Sequence, residues 1–103
     1  MAYKYIFDPV AADEYMEAFK WYEKKSIIAA DNLILAVQDA ISAICADPYR
    51  HRNTYKTFRE LTVKKYPYYL IYYINDVKKL VIITSLYHHK RNPKRKYNKL
   101  KKK

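Results

Sequence analysis

The sequence predicts an α+β domain with element order β-α-α-β-β-β, a helical hairpin packed on a mainly antiparallel sheet. Two stretches in the first half carry apolar residues at helical spacing. Three runs in the second half are rich in aromatic and β-branched residues, as strands are. The links within each group are short enough to make neighbours antiparallel. The 103 residues fit one small domain, and half of them are hydrophobic, enough for a modest core.

The first strand is expected over residues 2–7, where aromatic residues alternate with others. Asp8-Pro9 then reads as a helix start, an N-cap acid followed by proline at the first helical position. Ala11, Tyr15, Ala18 and Tyr22 form a helical stripe to about Lys25. Asp13, Glu14 and Glu17 supply the early acid and Lys24-Lys25 the late base that a helix dipole favours. Ser26 is the expected N-cap of a second helix with the stripe Ala30, Leu33, Val37, Ile41 and Ile44, broadened by Leu35, Ala36 and Ala40. Pro48 ends it.

Residues 49–57 are polar and basic and read as a loop. Phe58–Lys65 alternates, with Arg59, Leu61 and Val63 on one face and Phe58, Glu60 and Thr62 on the other. Tyr68–Ile74 is aromatic and β-branched, and Leu80–Tyr87 is apolar enough for an interior strand. The three strands should form a meander. The domain is expected to end near residue 97, with 98–103 a basic, frayed tail.

Composition narrows the chemistry. The chain has no glycine, which excludes glycine-dependent phosphate loops and dinucleotide fingerprints. Turns that need positive φ should then fall to Asn53, Asn75-Asp76 or Asn92. A single cysteine, Cys45, excludes an intrachain disulfide and a zinc site of paired thiolates, and its place on the second stripe predicts a buried thiol. Neither a metal nor a cofactor is expected. No uninterrupted apolar run approaches a membrane span, the N-terminus lacks a signal-peptide apolar core, and a cytoplasmic protein is expected.

The net charge is +11, unevenly spread: residues 1–48 carry −4, residues 49–89 carry +6 and residues 90–103 carry +9. Such a chain offers two surfaces to different partners, the basic one suited to a phosphate backbone or an acidic protein. Arg50, Arg52, Lys64, Lys65 and Lys90 are the candidate backbone-contacting cations.

Several segments together resemble the RelE/ParE superfamily of type II toxin–antitoxin toxins. They are Glu17-Ala18-Phe19-Lys20-Trp21-Tyr22-Glu23, a second helix ending at Asp47-Pro48, Phe58-Arg59-Glu60-Leu61, Tyr66-Pro67-Tyr68-Tyr69-Leu70-Ile71-Tyr72-Tyr73, and the closing Leu86-Tyr87-His88-His89-Lys90-Arg91-Asn92-Pro93. The resemblance covers residues 3–97. It implies a small basic cytoplasmic toxin, bound by an acidic antitoxin as a hetero-oligomer or itself a homodimer, that either cuts mRNA, often on the ribosome, or inhibits DNA gyrase without chemistry.

RNA cleavage by the ribose 2′-OH needs a base, an acid and cations for the phosphorane charge, and no metal. His88 is the expected acid or base, Arg59 and Arg91 the phosphate-holding arginines, and Tyr97 a proton donor or stacking ring. His89, its neighbour on an extended chain, should face the other way. The sequence departs from mRNA-cutting members at Tyr69, where they resemble one another in an arginine, and at Glu60 and Thr62, where they carry lysines. Glu60 is an alternative base. The expected function is an mRNA-cleaving endoribonuclease toxin. A gyrase inhibitor is the alternative, and a non-toxic nucleic-acid-binding module the third reading.

Overall fold

The computed structural model describes residues 3–90; Arg91, Asn92, Tyr97 and the basic tail lie outside them. The elements are β1 (Lys4–Phe7), α1 (Pro9–Lys25), α2 (Ile27–Ala46), β2 (Arg52–Tyr55), β3 (Phe58–Val63), β4 (Tyr68–Asn75) and β5 (Leu80–His88). They make one five-stranded sheet in the order β1-β5-β4-β3-β2. β1 pairs parallel to β5, and the other pairs are antiparallel.

Helix ends follow the local chemistry. The Asp8 carboxylate accepts from the Val10 N–H at 3.1 Å. Ser26 serves twice: its own N–H closes α1 onto the Tyr22 carbonyl, and its hydroxyl accepts from the Ala29 N–H at 3.2 Å to open α2. Both predicted stripes are the buried faces, with Leu33, Val37 and Ile44 sealed against the sheet. Two details differ. Leu35 is 58% exposed, on the shoulder of α2 instead of in the core. Glu14 does not serve the helix dipole; no acid lies in the first turn of α1, and Glu14 is buried against β5.

By length and composition α2 could cross a membrane, because its polar residues are few, whereas no uninterrupted run had suggested it. In this fold its apolar stripe is spent on the sheet.

The segment 49–57 is not all loop. Arg52–Tyr55 forms the edge strand β2 against β3. Its composition hides it, because an edge strand needs no apolar face when its partner supplies the ladder. Among the described residues the positive-φ positions are Lys56, Lys65 and Lys79, not Asn53, Asn75 or Asp76. The asparagines act beside the turns: Asn53 donates to the Lys56 and Phe58 carbonyls at 2.9 and 3.2 Å, and Asn75 accepts from the Lys78 N–H at 3.1 Å. A lysine in the left-handed region costs roughly 1–2 kcal/mol, which these side-chain bonds and the strand ladders offset.

The sheet has two unlike faces. Leu61, Val63, Leu70, Tyr72, Val81, Ile83 and Leu86 pack under the helices. On the other face Ile71 and Tyr87 form a smaller cluster with Phe58 and Tyr69. Tyr72 is sealed in the main core, its hydroxyl donating to the Pro48 carbonyl at 2.6 Å. Burial pushes that phenol well above the usual tyrosine range.

Candidate functional site

A bulge in β5 decides which way the chain's last described residues face. Ile71 pairs with Ser85 but Tyr72 pairs with Ile83, so Thr84 is an extra residue. In an unbroken strand Ile83 and Leu86 would face opposite ways, yet both lie under the helices. The same shift puts His88 on the helix side and leaves His89 on the other. Glu14 holds the bulge: one of its carboxylate oxygens accepts from the Ser85 hydroxyl at 2.7 Å and the Leu86 N–H at 3.1 Å. A bulge frees a ladder N–H, and α1 supplies the acceptor it needs.

His88 therefore lines a 490 Å³ cleft between α1 and β5, with Glu14, Glu17, Trp21, Tyr68 and Lys90. Its ring meets the edge of Tyr68 with centroids 5.2 Å apart. Its Nδ1 accepts from the Lys90 N–H at 3.0 Å. His89 lies over Tyr69 with ring centroids 4.2 Å apart, and its N–H donates to the Pro67 carbonyl at 2.9 Å.

Arg59 has a different occupation. It is half-buried and donates to the Tyr49 and His51 carbonyls at 3.1 and 2.7 Å, with its guanidinium over the Tyr49 ring. It fastens the segment after α2 to β3. Arg59 pairs with Tyr72, four residues along β4 from the Tyr68 that pairs with His88. The two side chains start roughly 15 Å apart at strand spacings, so they do not converge.

The candidate backbone-binding cations separate into two groups. Lys64 and Lys65 follow Val63, which pairs with Tyr68 and so lies at the His88 end of the sheet, where Lys90 also sits. Arg52 lies across from Glu60, on the side facing away from the helices. Arg50 is exposed in the turn before β2. Arg91 and Tyr97 lie outside the described residues. Among the described residues no group of three or more His, Cys, Asp and Glu side chains is placed to hold a metal.

The face away from the helices gathers a second set: Glu60, only 6% exposed, Tyr69, Tyr87 and His89, with Arg52 in register. Alternation along β3 put Glu60 on this face, but its burial depends on neighbours distant in sequence. Glu14 carried a usable signal: it falls between Ala11 and Ala18 on the buried stripe of α1. Cys45 is buried as expected, and burial pushes its thiol pKa up, away from nucleophilic use.

Two helices packed on one face of a five-stranded mixed sheet are the arrangement this chain shares with RelE/ParE-like structures. Residues 5–93 match the family described as ParE toxin of type II toxin-antitoxin system, parDE, and the chain belongs to that family. No curated protein matches it by sequence. Among solved structures, the chromosomal ParDE toxin–antitoxin system from P. aeruginosa aligns with a TM-score of 0.62 at 15% identity, over 84% of this chain and 96% of that one. The intact E. coli RelBE toxin–antitoxin complex gives 0.60 at 17% identity, over 87% and 100%. The isolated E. coli RelE toxin gives 0.60 at 15% identity, over 99% and 100%. At these identities the likeness is one of fold.

Proposed function

We propose that this toxin acts in the cytoplasm by binding DNA gyrase, in the manner of ParE-type toxins, and is neutralised by an acidic antitoxin in a hetero-oligomer. The observation that carries this reading is the orientation of His88. The imidazole best suited to moving a proton during RNA cleavage is turned under α1, with Nδ1 engaged by the Lys90 N–H, while Arg59 is committed to two backbone carbonyls. The ParE family match runs in the same direction. A binding toxin needs a shaped, charged surface and no proton relay, and the basic sheet end of Lys64, Lys65 and Lys90, with the exposed His89 beside it, supplies one.

RNA cleavage is the second reading, favoured by the Glu60 face. There a nearly buried carboxylate lies across from Arg52, with the Tyr69–His89 stack on the same side. Glu60 would take the 2′-OH proton, Arg52 would balance phosphorane charge, water would protonate the departing 5′-oxygen, and Tyr69–His89 would stack on a base.

One experiment separates the readings. Purified toxin is titrated into gyrase with relaxed plasmid and, in parallel, into ribosomes translating a defined mRNA. Loss of supercoiling with intact mRNA is expected. Cut mRNA with undisturbed supercoiling overturns the gyrase reading.

A further inference from the structure

The tip of the helical hairpin carries apolar side chains that the described core does not use. Ile27 and Ile28 open α2 and are 69% and 73% exposed. Trp21, one turn before the last residue of α1, is 55% exposed. None of the three joins either core cluster. The first turn of a helix favours small polar or acidic residues, yet α2 carries no acid there. Single exposed aliphatic residues are ordinary, but two adjacent ones at a hairpin tip, with the chain's one tryptophan close by, make a patch.

The same end of the domain is basic. Tyr66 ties the β3–β4 turn to the tip: its hydroxyl donates to the Ala29 carbonyl at 2.7 Å and its ring meets Tyr22 edge-on. That turn brings Lys64 and Lys65 to the end where Lys24 and Lys25 close α1. Lys90 lines one cleft with Trp21, and the Lys25 ammonium lies 5.1 Å from the Trp21 ring centroid. These five lysines are exposed, and the exposed acids near them are Glu17, Glu23 and Asp31. Residues 91–103, beyond Lys90, add eight Lys/Arg and no acid. At the opposite end of the sheet Val77 is 95% exposed but stands alone among Asp76, Lys78 and Lys79.

From this apolar tip and its lysine collar we propose that the hairpin tip docks on an anionic lipid bilayer. Ile27 and Ile28 enter the acyl boundary, Trp21 lies at headgroup level, and the lysines face the lipid phosphates. The isoleucines favour a bilayer over nucleic acid, which offers phosphates but no hydrocarbon to bury them. Two aliphatic side chains are a small apolar area, so the binding is shallow and reversible. The docking surface shares Lys64, Lys65 and Lys90 with the proposed gyrase surface but does not depend on that reading.

The test uses the full chain, with Trp21 as reporter, and vesicles of phosphatidylcholine alone or mixed with phosphatidylglycerol. With mixed vesicles the Trp21 emission should move to shorter wavelength and the protein should sediment with the lipid. Plain phosphatidylcholine should bind it at least about tenfold more weakly, and salt should shrink the difference. Ile27→Ser with Ile28→Ser, at exposed positions where serine suits a helix start, should weaken binding about 30-fold by withdrawing two aliphatic side chains from hydrocarbon. Lys24→Gln with Lys25→Gln should lose about tenfold in cosedimentation. Val77→Ser, at the far end, should bind as the wild type does. Unshifted emission with mixed vesicles, or undiminished binding of the isoleucine variant, overturns the proposal. So does a short RNA that shifts the emission as far as the vesicles do, an outcome that gives the tip to nucleic acid.

Discussion

Replacing Glu14 with alanine tests how the β5 bulge is held. Its carboxylate accepts from the Ser85 hydroxyl and the Leu86 N–H, and both residues are buried. Removing the acceptor strands two donors in the core. An unsatisfied buried donor costs about 1–3 kcal/mol, and the Ser85 hydroxyl can rotate away while the Leu86 N–H cannot. The total is then about 3 kcal/mol, a large share of a small domain's stability. At roughly 4–8 °C per kcal/mol for a domain of this size, Tm should fall by about 12–24 °C. Glu14→Gln keeps a carbonyl acceptor at the same place and should cost about 1 kcal/mol. Thermal unfolding followed by circular dichroism measures both. The surviving Glu14→Ala fold should also lose the edge contact between His88 and Tyr68 in nuclear Overhauser spectra, because the bulge sets that orientation. A Tm drop under about 3 °C with the contact intact would refute the role given to Glu14.

Three further outcomes follow from the structure. Tyr72→Phe leaves the Pro48 carbonyl without its 2.6 Å partner in the core and should cost about 1–3 kcal/mol in urea unfolding; an unchanged midpoint would deny that bond a stabilising role. Lys56→Gly with Lys65→Gly relieves two left-handed lysines, offset in part by glycine's chain entropy, so the double variant should gain about 1 kcal/mol, and a loss would show that those turns are not strained. The Tyr3 hydroxyl donates to Asp76 at 2.7 Å, which holds the Asp76 carboxyl below its usual range and the Tyr3 phenol above its own. Asp76 thus contributes stability that is present above its unfolded pKa and lost as pH falls through the folded one. Tyr3 contributes stability that is present below its unfolded pKa and lost as pH rises through the folded one. Tyr3→Phe should flatten both limbs of the stability–pH profile, and an unaltered acid limb would exclude the Asp76 contribution.

Local chemistry made much of this protein legible. Asp8-Pro9, Ser26 and Pro48 fix the four ends of α1 and α2 because capping and proline geometry act within a few residues. The stripes on α1 and α2 and the runs of β3, β4 and β5 announced their elements because periodicity follows from the backbone repeat alone. What the sequence could not determine were the features set by partners far along the chain. The polar β2 is a strand only because β3 offers it a ladder, and lysines take the left-handed turns only because the hairpins around them are already fixed. Above all, the facing of His88 and His89 is a parity. One extra residue at Thr84, held from across the domain by Glu14, reverses every side chain beyond it. Residue types named the candidates for chemistry; the long-range contact between α1 and β5 decided which of them face a common surface.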